Sequence, residues 1–332
     1  MAVKVAINGL GRIGRCILRH WAESGRSDVE IVAVNASGPI EKHIHLLKYD
    51  SVHGVFKGDI SGTEDSLTIN GKTLKRFADR NPENIPWGDA GVDIVLECTG
   101  VFKKHKEASL HLKGGAKKVV ISAPSSDPDA MIVYGVNNEV LKDSDNIISI
   151  GSCTTNCLAP VAKVLNDLVG IESGFMTTIH SYTNDQNIMD ASHEDLRRAR
   201  AGALSMIPTS TGAAKAIGMV LPELEGKLDG TAIRVPTPNV SMVDLTFTSS
   251  KETSDSEINA AIKKAAEGAM KGVLKYTEEE LVSIDFVGDP HSSIFDATQT
   301  KVVNGKFCRI AAWYDNEWGF SVRMLDIAAM LG

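Results

Sequence analysis

Short apolar runs alternate with helix-spaced segments through the first half of the chain. Val3–Ile7 reads as a strand, Gly11–Glu23 as a helix and Glu30–Val34 as a second strand. Val92–Cys98 and Lys118–Ser122 are further apolar runs bounded by Gly, Pro or Ser. Strands separated by helical stretches predict βαβ units and a mainly parallel sheet, an α/β arrangement. From about Ile147 the pattern changes. Val161–Leu168 has helical spacing, whereas Phe175–His180, Ile233–Val235, Val243–Thr248 and Phe307–Trp313 read as strands, several with polar alternation. That texture predicts a second, α+β domain with a mainly antiparallel sheet. Gly319–Leu331 is helix-spaced and expected to pack back on the first domain. The expected division is 1–150, joined by a C-terminal helix at 317–332, and 151–316. Between His180 and Met206 polar residues dominate, which predicts a functional or part-helical loop.

The length of 332 residues suits two domains with a sizeable core. Hydrophobic residues make up 43% and charged residues 23%, which excludes a disordered chain. The formal net charge of −7 argues against a general nucleic-acid binder, because phosphate backbones require a basic surface. No apolar run approaches the ~20 residues of a membrane span, and Val3–Ile7 gives way at once to turn formers, unlike a secretory leader. The five cysteines, 16, 98, 153, 157 and 308, form an odd, sparse set, which predicts free thiols in a reducing, cytoplasmic setting.

Gly9-Leu10-Gly11-Arg12-Ile13-Gly14 leaves a predicted strand and opens a predicted helix. Such glycines permit a tight turn, close backbone approach to a pyrophosphate, and packing of helix on strand, while the helix N-terminus offers free N–H groups. A dinucleotide is therefore the expected ligand. The second strand ends Asn35-Ala36-Ser37-Gly38, without the carboxylate that usually holds the ribose 2′-hydroxyl. Its absence removes the charge that would repel the 2′-phosphate of NADP, and Ser37 offers that phosphate a hydroxyl. The alternative is NAD held by backbone and Asn35.

Ser152-Cys153-Thr154-Thr155-Asn156-Cys157 precedes a helix pattern near Leu158. A cysteine at a helix start gains thiolate stabilisation from the dipole, so Cys153 is expected to have a lowered pKa and to act as nucleophile. Cys157 reads as a buried small hydrophobe. Cys153, Cys157 and a histidine lack the paired spacing of zinc sites, and no metal is expected. His180, ending a strand, is the candidate general base. His43 and His45 read as ordinary surface or packing residues. Arg197, Arg198, Arg200 and Arg234, with the hydroxyls of Thr209-Ser210-Thr211-Gly212, suit a phosphate monoester.

Together these stretches resemble the phosphorylating glyceraldehyde-3-phosphate dehydrogenases along the full chain. The resemblance is carried by Ala6–Arg15, Leu46-Leu47-Lys48-Tyr49-Asp50-Ser51, Ser152–Cys157, Thr211–Ala216, Arg234-Val235-Pro236-Thr237-Pro238-Asn239-Val240 and Trp313-Tyr314-Asp315-Asn316-Glu317. It implies a Rossmann domain, a catalytic domain and a homotetramer whose long loop approaches the cofactor of the adjacent subunit. It also implies reversible oxidation of glyceraldehyde 3-phosphate through a thioester on Cys153, with His180 as base, NADP or NAD as hydride acceptor, and inorganic phosphate releasing 1,3-bisphosphoglycerate. By the same resemblance Thr183 and Arg234 bind the substrate phosphate. Ser152, Thr154, Thr211, Gly212 and Arg198 bind the attacking phosphate, with Arg197 a competing register. Arg12, Ile13, Arg80 and Ser122 contact the cofactor, and Asn316 anchors the nicotinamide carboxamide.

Three departures stand out. NAD-type members carry Asp where this chain has Ala36. They commonly carry Leu-Pro where it has Ala191-Ser192, a pair similar to photosynthetic, NADP-using members. Both point to NADP preference. The third is Ile150-Gly151 in place of Asn-Ala, where a glycine is expected to loosen the nucleophile's turn. Competing readings are an erythrose-4-phosphate dehydrogenase, which needs no attacking phosphate, a non-catalytic Rossmann-fold binding protein, and a cysteine hydrolase using Cys153, His180 and Asn156. Pro208–Lys215 fits the phosphorylating family better than the first, and an intact nucleophile with a base argues against the second. The dinucleotide fingerprint argues against the third.

Overall fold

The computed structural model describes residues 2–332, which form two compact units. The first comprises the chain through Tyr134, Asn138–Ser152 and Phe320–Gly332; the second comprises Gly135–Asn137 and Cys153–Gly319.

In the first unit β1 (Val3–Asn8), α1 (Arg12–Ser24), β2 (Val29–Asn35) and α2 (Ile40–Lys48) follow in order. Helix α1 buries Gly14, Ile17, Leu18 and Trp21, spaced three or four apart on one face, and ends at Gly25 with φ +65°. A nine-stranded sheet runs Ala130–Met131, Ile147–Ser149, Lys118–Ile121, Ile94–Glu97, β1, β2, Lys72–Phe77, Ser66–Ile69, Ile60–Thr63. The first seven strands are parallel, and the last two add on antiparallel. The reading of the pattern had missed that edge, although Asn70-Gly71, with φ +50° and +78°, carries the signal of a tight hairpin turn. The chain reverses direction across the sheet at β1, which has β2 on one side and Ile94–Glu97 on the other. A ligand crevice belongs beyond the carboxyl ends of such strands.

Three buried polar residues mark those ends. Asn8 lies in register with Asn35 on one side and Glu97 on the other. Asn35 donates to Asn8 Oδ1 at 2.6 Å, and Asn8 donates to Glu97 Oε2 at 2.5 Å. Buried His111 donates from Nε2 to the same carboxylate at 3.0 Å while its Nδ1 accepts from Trp87 at 3.1 Å. The other Glu97 oxygen accepts the Thr99 N–H at 2.7 Å and the Thr99 hydroxyl. Each buried donor has an acceptor, so the chain of bonds fixes three strand ends at once.

The final helix, Trp318–Met330, contributes Phe320 onward to this unit. Arg26 meets Asp326 at 3.2 Å, and buried Arg323 meets Asp326 at 2.8 Å.

The second unit is built on a seven-stranded sheet in the order Ile207–Ser210, Leu228–Val235, Ile171–Ser181, Ser241–Ser249, Phe307–Tyr314, Ser293–Val303, Leu274–Thr277. It is mainly antiparallel, with two parallel pairs, Ile171–Ser181 beside Leu228–Val235 and Leu274–Thr277 beside Ser293–Val303. Helix Cys153–Val169 starts five residues before the apolar spacing indicates. Its first turn, Thr154-Thr155-Asn156, is polar yet buried, so no amphipathic period betrays it. Helix Asp255–Glu267, capped by the Ser254 hydroxyl, was also absent from the pattern reading. Residues 182–206 form neither helix nor strand.

Arg12 and Asp50 form a two-pronged ion pair at 2.5 and 3.2 Å, and Asp50 also accepts the N–H groups of Val52 and His53 at 2.9 Å. Against its burial, these bonds hold the Asp50 carboxyl down at about 2. A carboxyl lowered on folding stabilises above its unfolded pKa and loses that contribution as pH falls toward the folded value. Asp50→Asn should therefore destabilise the protein at neutral pH by about 1–2 kcal/mol after screening. In urea unfolding that difference should shrink as pH falls from about 4 towards 2; a pH-independent difference would rule out the ion pair as its source.

Candidate active site

Cys153 opens its helix and His180 lies near the end of strand Ile171–Ser181, within the second unit. The Cys153 sulfur is 3.5 Å from His180 Nε2. On the other side of the ring, Nδ1 lies 2.7 Å from the Ser181 carbonyl and 2.8 Å from Arg234 Nη1, which also donates to that carbonyl at 3.0 Å. Strand register sets this contact, since His180 pairs with Arg234 on the parallel neighbour. When Nδ1–H donates to Ser181, Nε2 presents its lone pair to the thiol, which is the tautomer a base requires.

The electrostatics correct one expectation. Crowding around the sulfur raises the Cys153 thiol above its ordinary value, against the opposing pull of Arg234 and the Thr154 N–H. Burial and then the Arg234 charge lower His180 to about 3. The unliganded pair is a thiol beside a neutral imidazole, because burial outweighs the helix N-terminus. Cys157 is fully buried, as expected of a packing residue, and burial pushes its thiol up to about 12.

Beneath the pair, buried Tyr314 holds the hydroxyls of Thr154 at 2.7 Å and Thr178 at 2.9 Å, and its ring meets His180 edge to face. Thr154 also bonds the Cys153 sulfur, through its N–H and its side chain, and so ties the nucleophile to the floor of the site. Gly151 corrects another expectation: at φ +69° a β-carbon would be strained, so glycine suits this turn rather than loosening it.

Arg198, and not Arg197, reaches the hydroxyl strand. It donates to Thr209 Oγ1 at 2.9 Å, the Ser210 carbonyl at 3.1 Å and Asp185 at 2.9 Å, while Arg197 is exposed. His193 bridges the same loop, meeting Asp185 at 3.3 Å and accepting the Asp195 N–H at 2.9 Å. Thr211 accepts the Ala213 N–H at the helix whose N-cap is Gly212. Thr183 is partly exposed, its N–H bonded to Gln186. The buried Nε of Arg234 has no partner among the described residues, leaving a donor for an anion.

Asn316 is fixed by residues that the sequence reading had missed. Its Oδ1 accepts from Ser181 at 2.8 Å and Ser241 at 3.0 Å, which leaves the amide N–H groups as donors. Val240, just before Ser241, has φ +66°, an outlier for a β-branched residue. Asn239 donates to Asp315 at 2.9 Å, so both flanks of the strained residue bond the segment carrying Asn316. Asn239, Val240 and Asp315 lie inside the R-V-P-T-P-N-V and W-Y-D-N-E stretches, which was the available signal, whereas Ser181 and Ser241 lie outside both.

In the first unit, a β-carbon on Gly14 would lie 2.0 Å from the Gly9 carbonyl oxygen, and one on Gly9, at φ +100°, would lie 2.9 Å from Thr99. Gly11 is different: its β-carbon would meet nothing within 4 Å. Protein packing does not demand that glycine. Helix α1 has no side-chain cap at Gly11, and the Arg12 side chain pairs with Asp50. Both donors of the Asn35 amide are taken, by Asn8 and the Asp79 carbonyl at 2.8 Å, and its Oδ1 accepts the Asp79 N–H at 3.1 Å. Ala36 is buried, Ser37 and Arg80 are exposed, and Ser122 is partly buried. Ala191 and Ser192 are exposed in the second unit's long loop.

Comparison with known proteins agrees with this geometry. The family model for the NAD binding domain of glyceraldehyde 3-phosphate dehydrogenase matches residues 3–105, and that for its C-terminal domain matches residues 152–316. The chain is 57% identical over 332 residues to a glyceraldehyde-3-phosphate dehydrogenase of Xanthobacter flavus, covering 100% of this chain and 99% of the relative. A plasmid-encoded counterpart in Cupriavidus necator is 57% identical over 333 residues, with the same coverage of both chains. Glyceraldehyde-3-phosphate dehydrogenase 2 of Streptomyces avermitilis is 54% identical over 333 residues, again covering 100% and 99%. The chain belongs to the glyceraldehyde-3-phosphate dehydrogenase family.

Proposed function

We propose that this chain catalyses the reversible, phosphorylating oxidation of glyceraldehyde 3-phosphate, with NADP preferred over NAD. The observation that carries the reading is the Cys153 sulfur 3.5 Å from His180 Nε2, with Arg234 against the opposite ring nitrogen. As the sulfur attacks the aldehyde carbon, His180 Nε2 takes the thiol proton and passes it to the aldehyde oxygen, giving a thiohemiacetal and a neutral imidazole. The substrate phosphate, held by Arg234 and Thr183, neutralises the cation that lowers His180 and so strengthens the base when it is needed. The bound dinucleotide supplies the hydride acceptor. His180 removes the thiohemiacetal hydroxyl proton as the thioester forms. Inorganic phosphate, held by Arg198, Thr211, Gly212, Ser152 and Thr154, attacks that carbonyl and expels the Cys153 thiolate, which recovers its proton from His180.

Free thiols at all five cysteines are consistent with a reducing, cytoplasmic setting, and among the described residues no helix is long and apolar enough to cross a membrane. A homotetramer is supported by the loop 182–206, where Ile188 is 85%, Leu196 82% and Leu204 78% exposed, an apolar surface that calls for a partner.

Oxidation of glyceraldehyde 3-phosphate, followed with and without inorganic phosphate, should require phosphate and run faster with NADP. Turnover without phosphate would overturn the phosphorylating assignment. Cys153→Ser should abolish oxidation while leaving dinucleotide binding measurable by calorimetry; surviving turnover would mean another nucleophile. Ala36→Asp places a carboxylate where the 2′-phosphate is expected, and should cost NADP efficiency about 1–3 kcal/mol more than NAD efficiency. Equal losses with both cofactors would remove Ala36 from the specificity argument.

A further inference from the structure

The loop Ala36–Gly38, between β2 and α2, is braced by a guanidinium and an imidazole rather than by the acid common at this turn. Arg76 is 4% exposed, and its Nη2 donates to the carbonyls of Ala36, at 3.1 Å, and Gly38. Its Nη1 bonds Glu64, while its buried Nε has no partner among the described residues. Gly38 holds φ +96°, the conformation that turns its carbonyl to this guanidinium. From α2, the partly exposed His43 places Nε2 3.0 Å from the Ser37 carbonyl.

A carbonyl only accepts, so His43 Nε2 carries the hydrogen in that bond. In the neutral ring Nδ1 is then an acceptor, useless to a phosphate; it becomes a donor only when the ring takes up a second proton. Burial lowers the His43 pKa, as do Arg76 on strand Lys72–Phe77 and Arg15 on α1, whereas the Ser37 carbonyl and Glu64, in the turn before Ser66–Ile69, raise it. The other charged or titratable residues of α2 are Glu41, Lys42, His45 and Lys48. The free protein therefore keeps the ring neutral near physiological pH, and a dianion brought to the loop reverses that balance.

We propose that His43 is a specificity-determining residue for the 2′-phosphate of NADP, gripping it as imidazolium, so that NADP binding takes up a proton which NAD binding does not. The inference rests on the NADP preference proposed above and names the residue and the protonation step that produce it. Arg76 shapes the loop from beneath and adds fixed positive charge, while His43 supplies the donor that discriminates.

Calorimetric titration of the full chain with adenosine 2′,5′-bisphosphate and with 5′-AMP, each in two buffers of different ionisation heat, reads affinity and proton uptake together. His43→Gln should weaken the bisphosphate roughly tenfold and leave 5′-AMP unchanged. It should also remove proton uptake, up to about one per site, that the native protein shows with the bisphosphate. His43→Lys, a fixed cation, should restore the affinity without the uptake. If native protein prefers the bisphosphate but His43→Gln changes neither its affinity nor its proton count, the inference falls and the NADP reading stands. Loss of affinity for both ligands alike would make His43 a loop brace and also overturn the inference. Equal affinity of native protein for the two ligands would remove the NADP reading itself.

Discussion

His180 Nδ1 faces two groups and can hydrogen-bond only one of them. Donating to the Ser181 carbonyl leaves Nε2 as a bare lone pair toward Cys153; accepting from Arg234 puts the proton on Nε2 instead. The two bonds therefore select different tautomers, one with a lone pair facing the sulfur and one with a hydrogen facing it. Because Arg234 Nη1 also bonds the Ser181 carbonyl, the exchange needs only a proton to move, with no backbone rearrangement. The surroundings are arranged to keep the ring in place while this happens. Tyr314 stands edge-on to it with its hydroxyl locked by Thr154 and Thr178, so the base, the nucleophile's helix and the strand beneath share one rigid floor. A water-filled floor of the same size would screen Arg234 from His180 and weaken the coupling between substrate binding and basicity.

The first unit is held by a buried polar network. Its glycine turn has no side-chain cap to hold it in place. The brace comes from behind, through Asn35, Asn8, Glu97 and His111, which tie the ends of three adjacent strands and reach Thr99, the residue that leaves no room for a β-carbon at Gly9. Burying a carboxylate is costly unless its acceptor sites are filled. Here four donors fill them, so the group rigidifies the crevice that it never enters.

Much of the chemistry was legible because it sits in contiguous motifs at element ends. The glycine fingerprint, Cys153 and His180 could each be placed by the strand or helix around them. What the sequence could not convey was the company each side chain keeps. Asn35 looked available to a ribose, yet register across β1 and β2 spends it on Asn8 and Asp79. The helix start at Cys153 suggests a lowered thiol pKa, yet burial of the sulfur raises it. Arg197 and Arg198 are neighbours in sequence, and only the fold of the irregular loop decides which one meets Thr209. His43 looked like an ordinary packing residue, because its bond to Ser37 depends on how the loop before α2 is folded.

Val240 shows what holding a functional amide in place requires. A β-branched side chain at positive φ costs on the order of 1–3 kcal/mol, and such a residue persists only where its neighbours over-determine it. Asn239 on one side is bound to Asp315, and Ser241 on the other is bound to Asn316, so relaxing Val240 would break contacts on both flanks. The consequence is chemical. With Ser181 and Ser241 both donating to Oδ1, a flipped Asn316 carboxamide would set its N–H2 group against two hydroxyls, each of which would have to turn its own hydrogen away. The strained turn thereby gives the amide a direction, and a carboxamide with a fixed donor can distinguish the carbonyl side of a ligand's amide from its nitrogen side.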